Sequence, residues 1–196
     1  MIVSKIGIGG VKMITKYPGT TIEVLSIEKG GSKVLFNGLF AAGGVTLSQV
    51  SNMTGLEPYL VQNWVKRKFL SHPKNKVYNK EQFARIVIIN MLREILQIES
   101  ICSLLQVIEG PTPSTLDDLI KDDELYHRYF NMICEQDVDM LDKATVLKLA
   151  EEATEDFKST MPGGRQKLIK ILQIMFYAHK AARLSDRAKE LISSLD

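Results

Sequence analysis

Apolar residues recur at helical spacing through most of the 196-residue chain, most clearly from Thr46 to Leu105. Leu47, Val50 and Met53 share one face of a short helix that Thr46 can cap and Gly55 can close. Pro58 suits the first turn of a second helix, from Tyr59 to about Phe69. Val61, Trp64, Val65 and Phe69 point inward there, and Tyr59, Gln62, Asn63, Lys66 and Arg67 point outward. Pro73 ends any helical continuation. Asn79 and Gln82 then form a capping box for a third helix carrying Phe83, Ile86, Val87, Asn90 and Met91. Ile98–Ile108 reads as a fourth helix. Two helices joined by a glycine turn, the second with amide and basic side chains outward, predict a helix-turn-helix.

The flanks are less regular. Met1–Ile8 and Thr20–Ile27 are strand-like around the turn Lys16-Tyr-Pro-Gly19, which predicts a small β-hairpin or a flexible arm. Val34–Ala42 predicts a short helix or lead-in. Gly110-Pro-Thr-Pro-Ser114 is the clearest linker. Beyond it the pattern predicts a helix from Ser114 or Thr115 through Ile120, then an aromatic helix with Tyr126, Tyr129, Phe130 and Ile133. An acidic helix follows over Asp142–Phe157, with Leu147, Ala150, Ala153 and Phe157 inward. The longest apolar helix is Gln166–Arg183, and Ser185-Asp186 is read as restarting a short terminal one.

Charge sharpens this division. From Gln62 to Arg93 the chain carries eight basic residues against the single acid Glu81, although the whole chain is only +2. The first 110 residues balance to +6 and the rest to −4. A basic head on an acidic body points to a polyanion as partner, and the stripe can neutralise several phosphates.

These residues resemble a known family. Thr46–Gly55, Val61–Leu70 and Lys76–Phe83, followed by an apolar helix and Ile98–Leu105, are similar to the DNA-binding head of MerR-type regulators. A closer resemblance is to an uncharacterised bacterial family of YkrK-like proteins. It is carried by Gln62-Asn-Trp-Val-Lys-Arg-Lys-Phe-Leu70, Pro73, Lys76-Val-Tyr78, Ile86-Val-Ile-Ile-Asn-Met-Leu92 and, more weakly, Leu125–Glu135. The resemblance implies an all-α fold: a MerR-like winged helix-turn-helix head followed by a helical bundle. It also implies that Gln62 stands where MerR proteins carry a phosphate-contacting arginine, Trp64 where they carry a tyrosine, and Lys76 where the wing carries an arginine. The wing is shortened in this chain.

The expected organisation is an N-terminal arm or lead-in at 1–43, a DNA-binding domain at 44–110 and an acidic helical domain at 111–196. The expected function is transcriptional regulation through double-stranded DNA. Tyr59, Gln62 and Asn63 are placed at the major groove, and Lys66, Arg67, Lys68, Lys74 and Lys76 at phosphates. A rival reading from another class is a protein-interaction adaptor that keeps the helix-turn-helix shape without duplex binding. The late apolar stripe Leu168, Ile171, Leu172, Met175 and Phe176 is expected to form a homodimer, the alternative being that it closes the core of a monomer.

Catalytic readings find little support. His72, His127 and His179 are far apart in sequence, and no nucleophile elbow or metalloprotease motif accompanies them. Gly7-Ile-Gly-Gly10 lacks the Gly-Lys-Ser/Thr of a phosphate loop. Cys102 and Cys134 lack metal-ligand spacing and read as buried thiols. Asp122-Asp123-Glu124 reads as solvated acids at a helix start. No cofactor, metal or catalytic residue is expected, and a small-molecule effector cannot be named from the sequence. No stretch approaches the ~18 apolar residues of a membrane span, so a cytoplasmic protein is expected.

Overall fold

A computed structural model describes residues 15–109, 118–134, 142–159 and 161–195. Among these the protein is mostly helical, with eight helices and two small antiparallel strand pairs. The first pair joins β1 (Thr15–Lys16) to β2 (Glu23–Val24) and is followed by helix α1 (Gly31–Leu39). Strand β3 (Val45–Thr46) runs directly into α2 (Leu47–Thr54), and α3 (Pro58–Lys66) follows. Strand β4 (Val77–Tyr78) returns to pair with β3, setting Val45 opposite Tyr78 and Thr46 opposite Val77. The remaining helices are α4 (Lys80–Leu92), α5 (Ile98–Gln106), α6 (Asp122–Cys134), α7 (Lys143–Glu152) and α8 (Gly164–Ser193). No described helix is long and apolar enough to cross a membrane.

Helix α4 is the centre of the packing. The sequence pattern gives it one apolar stripe, yet Ala84, Ile88, Ile89 and Leu92 are buried along with Phe83, Ile86, Val87 and Met91. A helix apolar nearly all round has neighbours nearly all round. It packs against α2, which precedes it in the chain, and against α5, α6 and α8, which follow it. The head therefore does not enclose a small core of its own: one cluster of buried residues runs from Phe36 to Ala178. The stripe Leu168, Ile171, Leu172, Met175 and Phe176, expected to reach a second subunit, is at most 2% exposed within the single chain.

The N-terminal segment is tied down wherever it is described. Tyr126 donates its buried hydroxyl to the Pro18 carbonyl at 2.9 Å, and Tyr17 stacks on Phe130 with ring centroids 5.0 Å apart. Asn90 donates to the carbonyls of Gly19 and Thr54 at 3.0 and 2.9 Å, joining this hairpin to the end of α2. A Cβ at Gly19 would run into the Val87 carbonyl, so the close approach requires glycine. The first expected strand, Met1–Ile8, lies outside the described residues. So do the Gly110–Ser114 linker and the start of the helix expected after it; Asp118–Ile120 is not helical.

Three elements differ from the pattern-based expectation. Helix α3 stops at Lys66 rather than near Phe69, because Lys68 turns left-handed (φ 62°) and the chain reverses. Helix α7 ends at Glu152 and buries Val146, Leu149 and Ala150, leaving Leu147 38% exposed. The two stripes differ by one residue of rotation, which spacing alone cannot resolve. Helix α8 continues unbroken through Ser185-Asp186 to Ser193. Neither residue is a Gly or Pro, and Asp186 pairs with Lys189 one turn on at 2.9 Å.

Candidate nucleic-acid interface

The two helices of the head are set by local chemistry legible in the sequence. Thr46 and Gln49 form a reciprocal capping box: the Thr46 amide donates to Gln49 Oε1 at 2.8 Å and the Gln49 amide to Thr46 Oγ1 at 3.4 Å. Gly55 closes α2 with φ 71° and donates its amide to the Ser51 carbonyl at 2.8 Å. A Cβ there would also crowd the Thr21 methyl at 3.1 Å. Pro58 opens α3 without losing a hydrogen bond.

The end of α3 has an unusual sequence for its geometry. The Phe69 amide donates to the Trp64 carbonyl at 2.9 Å and the Lys68 amide to the Val65 carbonyl at 3.1 Å. This is a Schellman turn with lysine at the left-handed position that glycine usually fills. The same substitution recurs in the following loop. Lys74 and Val77 bridge across a two-residue turn whose central residues, Asn75 (φ 52°) and Lys76 (φ 65°), are both left-handed. Such a turn favours Asn-Gly, and here lysine takes the second place. The segment where a short wing is expected forms a tight hairpin that runs into β4.

Gln82 holds that loop. Its amide nitrogen donates to the Ser71 carbonyl at 3.1 Å, the Ser71 hydroxyl at 2.9 Å and the His72 carbonyl at 3.0 Å. Its oxygen accepts from the Asn79 amide at 2.9 Å. Only the second role is visible as a capping box in the sequence. The first depends on where Ser71 and His72 arrive in space.

All eight sequence-predicted contact residues are exposed: Tyr59, Gln62, Asn63, Lys66, Arg67, Lys68, Lys74 and Lys76. The fold brings Gln62, Lys66 and Lys76 together on one groove of about 600 Å³, with His72 beside them. Its floor is Leu47, Val65, Pro73 and Tyr78, none of which sequence reasoning had placed at the interface. Tyr59, Asn63, Lys68 and Lys74 do not line it. Arg67 is engaged elsewhere. Its guanidinium meets Glu99 at 2.6 Å and lies 4.4 Å from the Phe69 ring centroid. That hydrogen bond holds the Glu99 carboxyl below the usual carboxylate range.

The basic stripe accordingly divides in two. Arg85 is largely buried and clamps Asp122 at 2.8 Å and Glu109 at 2.6 Å. Burial alone would lower its pKa, but the two carboxylates more than reverse that and keep it charged. Arg85 is a strut between α4 and α6, not a phosphate ligand. Lys80 donates to Asn37 at 3.2 Å, and Arg93 to Asn90 at 2.9 Å. Lys66, Lys68, Lys74 and Lys76 make no ion pair within the described residues.

A second cleft of about 650 Å³ lies between α6 and α7. Its charges largely neutralise one another, with Lys33 on Glu124 at 3.3 Å and Arg128 on Asp156 at 2.6 Å. No group of three or more His, Cys, Asp or Glu among the described residues is arranged to hold a metal ion.

Residues 42–129, from just before β3 into α6, match a family described as a domain of unknown function (DUF1836). No solved structure matches the chain significantly. The chain is also similar to an uncharacterized protein, YkrK, of Bacillus subtilis (strain 168), with 29% identity over 118 residues. That alignment covers 57% of this chain and 51% of YkrK, so the chain spans about half the length of the curated relative it matches. The family match spans the helix pair, the tight hairpin and the buried α4, and together the two matches support the YkrK-like resemblance.

Proposed function

We propose that this protein is a cytoplasmic DNA-binding transcriptional regulator whose head is a MerR-like winged helix-turn-helix. Helix α3 enters the major groove, where the exposed amides of Gln62 and Asn63 read base edges through paired donors and acceptors. Lys66 at its end and Lys74 and Lys76 on the hairpin hold phosphates, and Lys68 joins them from the Schellman turn. The observation that best supports this reading is the set of four exposed lysines, free of ion pairs among the described residues, around the end of α3 and the hairpin. Like charges left together repel unless a counter-charge arrives, and a duplex backbone supplies a row of them. Arg67 adds to the set only when Glu99 releases it. Fluorescence polarisation with random genomic duplex at two salt concentrations tests the reading: binding weakens steeply with salt if it holds.

One observation favours the adaptor reading. The floor of the groove beside α3 is apolar, from Leu47, Val65, Pro73 and Tyr78, which suits a peptide side chain better than a phosphate. A protein with no duplex affinity at low salt would select it.

A further inference from the structure

Phosphate contacts leave the apolar floor of the groove beside α3 without a role, and that floor is built from rigid elements. Pairing of β3 with β4 sets Val45 opposite Tyr78 and Thr46 opposite Val77, and Leu47 follows at once as the first residue of α2. Leu47 and Tyr78 thereby reach the same groove. Pro73 joins them because Gln82 fixes the two residues before it, donating to the Ser71 and His72 carbonyls at 3.1 and 3.0 Å. Val65 closes the floor from α3, one residue before Lys66. Val65 and Tyr78 are buried, and Leu47 and Pro73 are half-buried, so the last two offer most of the apolar surface.

The rim differs in kind. Gln62 is exposed on α3, and its amide has no partner among the described residues. Lys66 from α3 and Lys76 from the hairpin stand on the same groove, free of ion pairs among the described residues. A phosphate lowered onto the floor would lose water without gaining a donor there. The floor therefore takes an apolar group while the rim takes polar and anionic ones. On a duplex these demands coincide. The thymine 5-methyl is the apolar group that base edges present in the major groove, and the paired adenine offers the N6 donor and N7 acceptor that an amide matches.

We propose that the floor is a subsite for the 5-methyl group of thymine, beside the adenine that Gln62 reads, so that the head prefers A·T-containing sites. The proposal rests on the reading of the head as a duplex binder. The spread of charge favours a duplex over a peptide as the occupant. Lys68 and Lys74 do not line the groove, yet they are exposed and free of ion pairs among the described residues, as Lys66 and Lys76 are. Cationic surface thus extends past the floor, which suits a row of phosphates; one side chain seated in the groove would leave those two lysines unmatched.

A methyl contact is separable from the rest of the interface. Burying one methyl raises affinity about fourfold. It carries no charge, so it leaves counterion release and the salt slope as they are.

Fluorescence polarisation of the full chain with two alternating A·T duplexes of equal length tests the subsite, one built with thymidine and the other with deoxyuridine in its place. Wild type binds the thymidine duplex about fourfold more tightly, with the same slope of log K against log salt for both. Leu47→Ala brings the ratio close to one by weakening the thymidine duplex alone, and its unchanged affinity for the deoxyuridine duplex shows that it folds. Pro73→Ala gives the same result and stands in if Leu47→Ala loses its far-ultraviolet circular dichroism. Equal affinity of wild type for the two duplexes overturns the methyl subsite and leaves the duplex reading standing. A preference that both floor variants keep comes from duplex shape and also overturns it. No affinity for either duplex at low salt overturns the duplex reading itself and gives the floor to a peptide side chain.

Discussion

Helix α3 buries Val61, Trp64 and Val65 and turns Tyr59, Gln62, Asn63 and Lys66 outward. Helix α8 buries Leu168, Ile171, Leu172, Met175 and Phe176 and turns Ile174, Tyr177, Leu184 and Leu191 outward. Both helices dock one face on the same core, and the difference lies in what faces water. The outer side of α3 is amide and cationic, and the lysines around it make no ion pair with an acid among the described residues. The outer side of α8 carries an apolar stripe, and beside it Arg187 is paired with Glu190 and Lys189 with Asp186. Unmatched like charge fits a polyanion, whereas an apolar stripe gains nothing from one. One molecule thus offers two surfaces of different chemistry, and substitutions can separate them.

The largest expected effect falls on the buried side of α3. Trp64 is 4% exposed, and Trp64→Ala should cost about 3–5 kcal/mol in chemical denaturation. Leu184→Ala on the outer side of α8 should change the stability of the monomer by no more than about 0.5 kcal/mol. Equal losses would show that the outer face of α8 packs within the chain.

Acid should act on the core and spare both outer faces. His127 is buried against Ser32 Oγ at 2.9 Å, and His179 meets the Tyr129 hydroxyl at 2.7 Å. Burial, aided by nearby lysine or arginine, pushes each imidazole down to about 4. The unfolded chain takes up these protons near the ordinary value of 6.5, so it binds more protons than the folded chain between 6.5 and 4. Stability is therefore full above pH 6.5 and falls as pH drops toward 4. Each histidine should account for about 2 kcal/mol between pH 7.5 and 5 in urea titrations. A flat profile would mean that neither ring is held neutral.

The legible parts of this fold are those fixed by neighbours in sequence. Thr46 with Gln49, Gly55, Pro58, and Asn79 with Gln82 set the start or end of α2, α3 and α4, and each is a contact of a few residues' reach. Periodicity fails where a helix has two apolar stripes. In α8 the stripe through Leu168 and Phe176 stands out because its residues are larger, while the one through Ile174 and Leu191 is diluted by Ala181 and Ala188. Nor does sequence separate a lysine that faces solvent from an arginine that holds the fold together. Arg85 lies in the same basic run as Lys76, and only the arrival of Asp122 and Glu109 removes it from the surface. The apolar floor of the groove combines residues of β4, α2, α3 and the loop before the hairpin, a grouping with no sequence signature.

Within the head, the two kinds of polar contact should separate. Asn63→Ala should flatten the preference among duplex sequences, by about 1–3 kcal/mol on the preferred one. Lys66→Ala should weaken binding to all sequences by similar factors. Both are measured by competition polarisation, and uniform loss for Asn63→Ala would take that residue off the base edges.

The smallest effect is the most specific to this chain. A left-handed lysine is strained relative to glycine, so Lys68→Gly and Lys76→Gly should each raise stability by up to about 1 kcal/mol. Each should also weaken duplex binding. Tighter folding with undiminished binding would assign these lysines no part in the interface.

The central claim is that the four lysines free of ion pairs in the described residues meet a nucleic-acid backbone. The most direct test is the slope of log K against log salt for a random duplex, measured with wild type and with Lys66, Lys68, Lys74 and Lys76 all changed to Gln. Four phosphate contacts predict a slope of roughly −3.5 for wild type, reduced close to zero by the substitutions. A wild-type protein that shows no affinity at low salt, or a slope that the four substitutions leave unchanged, would contradict the account.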